Sequence, residues 1–324
     1  MFHNKYIKIK MKTIKIFAFL SMLSMLMLAC TVVHYGDEDD DNNNSSSGGS
    51  NNLKTGQIEM KVYPDNDNKV SFWATTGKIT IDWGDGYIDK LTLNGNQQEF
   101  YHTYPNNNLK TIYIESEKLQ GLGKGGGRYA QIWGGKGVIK ELYLGEMNEL
   151  NDLFCSNGGL TVLEIKKAHS LFMIDCSRNQ LTSLDLRGCS IIPFLLCQDN
   201  QLTSLIRGST KVGLLDCSNN QLTSLDVRDS SLGLFNCSNN QLTALDIRGC
   251  IGLYQFDCSR NELSSNDLNS LFENLQDINN SIYGEWGIGE LKISGNSGYS
   301  SCNKAIAINK GWKEVSSLSW YSWL

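Results

Sequence analysis

Histidine is scarce, at four residues in 324, and beyond the first stretch only the widely scattered His34, His102 and His169 remain. No H-E-x-x-H or G-x-S-x-G motif occurs, and no cysteine stands in the context of a nucleophile, so the usual hydrolase arrangements lack their residues. No C-x-x-C pair is present either, which leaves zinc without its common ligand spacing. A phosphate loop is missing: Lys124 is followed by Gly125 and has no correctly spaced glycine before it. Positive charge is also short. The net charge is -5, and the first 29 residues carry five lysines and no acid, so the remainder sets 24 basic against 34 acidic residues. Such a balance disfavours nucleic acid and anionic lipid surfaces, both of which need concentrated positive charge. Long apolar runs are absent, since Ile16 to Ala29 falls short of the roughly 20 residues of a membrane span. A non-catalytic chain without cofactor or metal is the expectation.

What is present is repetition. Cysteine returns at Cys155, Cys176, Cys197, Cys217, Cys237 and Cys258, in steps of 20 or 21 residues. Each unit splits again, because a leading apolar residue recurs every 10 or 11 residues from Ile139 through Leu150, Leu160 and Leu171 to Leu263. A fixed period of this length marks a solenoid, in which a unit buries its apolar face only by stacking on its neighbours. The half-unit Leu232-x-x-Phe235-x-Cys237-x-x-Asn240-x-Leu242 and its partner Leu242-x-x-Leu245-x-Ile247-x-x-Cys250 carry the pattern L-x-x-L-x-L-x-x-N/C-x-L. The array resembles a leucine-rich-repeat solenoid, spanning 138–263. Its frame slips by one residue only between Leu202 and Arg207.

The flanks point to export and display. From Met11 a basic start precedes the apolar run, which ends in Leu28-Ala29-Cys30. This resembles a bacterial lipoprotein signal over 1–29, implying cleavage and lipidation at Cys30, with the lipid as membrane anchor. The acidic run Asp37 to Asp41 and the Asn, Ser and Gly of 42–52 cannot bury apolar area and read as a flexible tether over 30–55. Acidic residues after the lipid cysteine resemble the surface-export signal of Bacteroidetes lipoproteins, implying an outer-membrane protein displayed at the cell surface.

Residues 56–118 alternate apolar and polar side chains between Asn, Gly and Asp turns, predicting strands at Ile58 to Tyr63, Val70 to Ala74, Lys78 to Trp83 and Thr111 to Glu115. Among them Trp83-Gly-Asp-Gly86 and His102-Thr-Tyr104 resemble the signatures of the polycystic-kidney-disease-type (PKD-like) β-sandwich. That likeness implies a core role for Trp83 and a packed, structural His102. Residues 119–137 hold eight glycines with Tyr129 and Trp133, read as a connector and N-terminal cap for the solenoid. Past Leu263 the period breaks. Leu268, Leu271, Phe272 and Leu275 follow helical spacing behind Ser265-Asn266, Leu291 to Asn296 returns as a strand, and Cys302 to Trp312 reads as a closing helix. Residues 264–324 thus form a mixed α/β cap, and the end of the chain resembles that of Bacteroidetes leucine-rich-repeat surface lipoproteins. The expected fold is mainly β: a PKD-like β-sandwich, then a leucine-rich-repeat solenoid with two short strands per unit, then the cap.

In each half-unit the first, fourth and sixth positions should point inward, leaving function to the outward ones. On the cysteine-bearing strands the third position reads Asp152, Met173, Phe194, Leu214, Leu234 and Gln255, and the fifth reads Phe154, Asp175, Leu196, Asp216, Asn236 and Asp257. Met173, Phe194, Leu214 and Leu234, with Leu196, predict an exposed apolar stripe, the usual mark of an interaction site. Asp175, Asp216, Asn236 and Asp257 would flank it. A loop, the neighbouring domain or a second copy could equally cover it. The asparagine column, Asn157, Asn179, Asn200, Asn220, Asn240 and Asn261, reads as structural, and the cysteine column as buried thiols. On the other strands Glu164, Asp185, Asp226 and Asp246 stand two residues before Lys166, Arg187, Arg228 and Arg248, predicting an ion-pair lattice or, with Arg207, a site for acidic glycans. The partner expected is a protein or glycan bound in adhesin fashion, with an envelope scaffold as the alternative.

Overall fold

The computed structural model describes residues 53–318, apart from 76–77, 93–96, 117, 124–136, 166–167, 209 and 280–288. The signal sequence, Cys30, nearly all of the tether, Tyr129, Trp133, Lys166, Trp320, Tyr321 and Trp323 lie outside the described residues. Among those described, no helix is long and apolar enough to cross a membrane.

Alternating sequence gives the first strands: β1 (Gln57–Tyr63), β2 (Lys69–Thr75), β3 (Lys78–Asp82), β4 (Ile88–Thr92), β5 (Gln97–Thr103), β6 (Lys110–Glu115) and β7 (Gly121–Gly123). All pairings among these seven are antiparallel. The repeat supplies β8 (Val138–Leu144), β9 (Asp152–Phe154), β10 (Val162–Ile165), β11 (Met173–Asp175), β12 (Ser183–Asp185), β13 (Ile191–Leu196), β14 (Ser204–Ile206), β15 (Lys211–Asp216), β16 (Leu234–Asn236) and β17 (Gln255–Asp257). Two more, β18 (Gly289–Lys292) and β19 (Trp312–Glu314), close the stack.

The antiparallel region and the solenoid share their sheets. One sheet of 11 strands runs β19-β18-β17-β16-β15-β13-β11-β9-β7-β2-β5, and one of six runs β10-β8-β1-β6-β3-β4. The joints are single strands: β7 pairs antiparallel with β2 and parallel with β9, while β8 pairs antiparallel with β1 and parallel with β10. One apolar core consequently extends without a break from Ile58 to Trp312. The stretch assigned to a connector contributes β7, whose Leu122 is buried in that core.

Inward positions follow the repeat. Leu232, Phe235 and Cys237 are buried, as are their counterparts in the neighbouring units, each apolar side chain contributing about 1.5–3 kcal/mol. Phe235 and Phe256 stack with ring centroids 5.1 Å apart. The eighth position of a half-unit is left-handed in both halves, at Arg178, Asp199, Asn219, Asn239 and Arg260 on one side and Gly188, Asp229 and Gly249 on the other. Asparagine, aspartate and glycine suit that conformation, because it crowds the Cβ of most residues. The ninth position then turns inward. Asn220 Oδ1 accepts from Leu202 N at 2.9 Å, and its Nδ2 donates to the carbonyls of Cys197, Cys217 and Ser218. Asn179, Asn200, Asn240 and Asn261 repeat this, and Asn296 adds a last rung. Asn157 does not belong to this column. It is exposed and left-handed, in line with Arg178, and Gly158 holds the ladder position.

Three expectations need correction. Two strands per unit holds only in part, since the second set has the pairs β8–β10 and β12–β14 and then narrows to one isolated bridge between Asp226 and Asp246. The helix Ser265–Asn274 starts one residue earlier than expected, capped by Ser264 in a reciprocal bond with Asp267. The closing helix is only Ala305–Asn309, and Trp312 opens β19 instead of ending a helix. Gly311, at φ 84°, makes the reversal between them.

Candidate functional site

Strand register assembles the outward rows. At the third position, Asp152, Met173, Phe194, Leu214, Leu234 and Gln255 lie side by side on successive strands, continued by Glu290 and Lys313. At the fifth, Phe154, Asp175, Leu196, Asp216, Asn236, Asp257 and Lys292 do the same. All nine candidate residues therefore share one face, as the spacing predicts.

Their exposure differs from expectation. Phe194 is 7% exposed, Leu196 6% and Leu214 3%, and Met173 and Leu234 are half-buried. These residues form a second apolar cluster, separate from the main core, with Phe172 and Leu318 packed against it. Phe172 and Phe194 meet with ring centroids 5.2 Å apart. The stripe exists but is covered, and Leu318, more than 80 positions on in the chain, supplies part of the cover.

The fifth-position polar residues have a structural task. Asp175 Oδ1 accepts from the backbone N–H and hydroxyl of Ser177, and Asp216 Oδ1 does so from Ser218 at 3.0 and 2.7 Å. Asn236 accepts from Ser238 N, and Asp257 from Ser259 N and from Lys292 Nζ. Each thus closes a turn from the fifth to the seventh position, the way an Asx side chain stands in for a backbone acceptor. Asp216, Asn236 and Asp257 are buried, so their expected place as an exposed polar border is corrected.

The opposite half-units use the same turn with a charged seventh position. Asp185 Oδ1 accepts from Arg187 N, and the arginine side chain returns to Asp185 Oδ2 at 2.6 Å. Arg228 pairs with Asp226 at 2.8 Å and Arg248 with Asp246 at 2.5 Å. The Arg228 guanidinium holds the Asp226 carboxyl down to about 2, and Arg248 lowers Asp246 likewise. These pairs lie within single turns instead of bridging strands as a lattice. Arg207 differs, because the shortened frame puts Ile206 just before it. Its side chain is only 12% exposed, and its guanidinium donates to the carbonyls of Thr210, Asp226 and Arg228. Spacing alone did not reveal that role, although the missing residue marks the place.

The six column thiols are buried and free, and burial pushes their pKa values up. Raised pKa values keep them protonated and unreactive. Cys189 and Cys250, in the opposite half-units, are each pushed up to about 11. Among the described residues no group of three His, Cys, Asp or Glu side chains is placed to hold a metal ion.

No protein-family model matches the chain, and none of the curated proteins does. Among solved structures, the functional domain of InlJ from Listeria monocytogenes, which includes a cysteine ladder, aligns with 49% of this chain at 23% identity and a TM-score of 0.34. The match takes in 40% of that chain, and so loose a likeness carries no argument about ligand or partner. The leucine-rich-repeat solenoid itself rests on the buried first, fourth and sixth positions and the asparagine ladder.

At the other end of the molecule, His102 is a packed residue. Its Nε2 lies 2.8 Å from Asp85 Oδ2, its ring stacks on Trp83 at 5.1 Å, and Tyr104 meets it edge-on at 4.6 Å. Tyr104 donates its hydroxyl to Trp83 O at 2.8 Å. Gly84, at φ 77°, lets this corner form, because a Cβ there would sit 2.2 Å from Thr111 O. His169 stands apart, beside Ser190.

Proposed function

We propose that the protein is a non-catalytic surface-binding lipoprotein that recognises a protein or glycan through the outward face of its eleven-stranded sheet. The observation that carries this reading is the second apolar cluster. A solenoid completes its main core with inward side chains, so Met173, Phe194, Leu196, Leu214 and Leu234 on the outer face lie outside that core and form a platform with pairing in register. The platform's burial means that a ligand must displace what lies on it. A lipid on Cys30 would tether the chain to the outer membrane, and the acidic, Asn-rich segment would hold the solenoid away from it. The Trp83-Gly-Asp-Gly86 corner, with His102 and Tyr104 packed on it, supports assigning the first strands to the PKD-like sandwich type, acting as a spacer.

The test is capture by the immobilised protein from host extracellular extract, a glycan array and the envelope lysate of the source cell. Specific retention of a host protein or glycan, lost in Phe194→Glu/Leu214→Glu, is the expected result. Retention only of the cell's own envelope proteins would replace the adhesin by the second reading, a scaffold subunit, which the uninterrupted sheet favours as a rigid docking edge.

A further inference from the structure

The eleven-stranded sheet is finished differently at its two ends. At one end β19 has three residues, with exposed Lys313 at its centre. A strand so short and charged offers little to a passing chain. At the other end β5 has seven residues, pairs with β2 in unbroken register and has no strand beyond it among the described residues. Its sequence, Gln-Gln-Glu-Phe-Tyr-His-Thr, contains no lysine and no proline, and Glu99 is its single carboxylate. Natural edges usually carry such guards against pairing, and this one lacks them. The six-stranded sheet also stops at the end away from the solenoid, with β4 as its edge and Ile88 and Leu91 exposed on it.

Hydrogen-bond direction tells which groups β5 leaves for a partner. Tyr104 N donates to Asn68 O, so this pair and, by alternation, His102 with Val70 and Phe100 with Phe72 turn their backbone groups toward β2. Glu99, Tyr101 and Thr103, in between, therefore aim their N–H and C=O groups away from the sheet. Tyr101 stands at the middle of this row and is 71% exposed, more than any other large apolar or aromatic side chain among the described residues.

We propose that this edge pairs antiparallel with the same edge of a second copy, giving a two-fold dimer through a β5–β5 ladder. Two observations select a copy of the chain as the occupant. The first is self-complementarity. A two-fold axis at Phe100, the midpoint of β5, sets Glu99 opposite Tyr101 of the other copy, so that the two exchange both backbone bonds and the single carboxylate never faces its like. The second is that two sheets end here together. A lone extended peptide covers one edge, whereas the matching end of another copy brings the edges of both sheets, β4 and β5. An antiparallel ladder also continues the sheet, so the outer faces of the two copies join on one side. Their Phe194 rows would then lie eleven strand spacings apart, about 50 Å. On the function proposed above, a ligand with repeated epitopes is held at both platforms and gains avidity.

Hydrogen–deuterium exchange of the intact chain tests the pairing, because association elsewhere in the chain leaves the amides of Glu99 and Tyr101 unprotected. Over about a hundredfold rise in protein concentration these two amides should slow by about tenfold or more, with those of β19 unchanged. Tyr101→Glu sets like charges opposite each other across the axis and should abolish the dependence, and Tyr101→Glu/Glu99→Lys should restore it. Fast exchange at every concentration overturns the proposal. So does a dependence that survives Tyr101→Glu, or protection that appears only when envelope or host protein is added, which would give the edge to a foreign strand. Ligand capture that depends on Phe194 and Leu214, with no concentration-dependent protection of β5, would leave the binding function standing and remove the dimer. Protection of β5 with no ligand captured would do the reverse.

Discussion

The two flanks of the solenoid start from nearly the same half-unit and end differently. On the cysteine side every rung is joined into one sheet from β7 to β19, whereas on the opposite side pairing breaks into β8–β10, β12–β14 and a single bridge. Both sides close with a fifth-position acceptor on the seventh-position N–H, and both place a left-handed residue eighth. What differs is the ninth position and the outer row. The cysteine side has an asparagine that ties each unit to the one before it, and apolar outward side chains under cover. Its counterpart has Ala168, Cys189, Thr210, Ser230 and Cys250 in the ninth place and solvated Asp–Arg pairs outside. Cross-strand order follows the residues that reach across units. Charge satisfied within one turn adds little to it.

The comparison can be broken from the inside first. Phe235→Ala removes a stacked, fully buried ring on the cysteine side and should cost about 3–5 kcal/mol, read as a lower urea midpoint. Asn220→Ala should cost about 3 kcal/mol, because the carbonyls of Cys197 and Cys217 and the N–H of Leu202 lose their partner in a buried place. If this asparagine costs no more than a surface residue, the ladder is not what orders the cysteine side. Phe194→Ala acts on the outer cluster alone and should cost about 1.5–2 kcal/mol with the denaturant slope unchanged.

The smallest effect belongs to the charged flank. Asp226 has its carboxyl depressed to about 2, so its contribution is present above its ordinary value near 4 and is lost as pH falls from about 4 to about 2. Its side chain is 56% exposed, so screening leaves only a few tenths of a kcal/mol. Acid unfolding of Asp226→Asn compared with the parent chain should show a difference confined to that window. A larger difference would mean that the charged flank holds the stack more firmly than its broken ladder suggests.

Local pattern carried the fold far. The inward rows and the asparagine ladder from Asn179 on follow from residue type and period, since each depends on neighbours one unit away. Asn157 misled because it is an asparagine beside the ladder position, two residues after Cys155 where Asn179 stands three after Cys176, and its φ of 55° puts it in the left-handed eighth place. The candidate site was legible as a row but not as a covered one. Phe194 and Leu318 meet by a path that no repeat encodes, and Asp216 is spent on Ser218 in a turn that sequence spacing leaves indistinguishable from an outward carboxylate. Likewise the joints at β7 and β8 depend on pairing between distant strands, so the sharing of sheets does not show in local alternation.

The uninterrupted eleven-strand sheet has a mechanical corollary. Its interstrand bonds point along the stacking axis, so tension applied between the two ends of the molecule pulls on rungs in series and opens them one after another, as a zip does. Each unit of 20 or 21 residues set free would lengthen the chain by roughly 65 Å, the difference between its extended length and one strand spacing. Stretched in that direction, the protein should extend in a train of even steps at modest force, with the asparagine rungs setting the height of each.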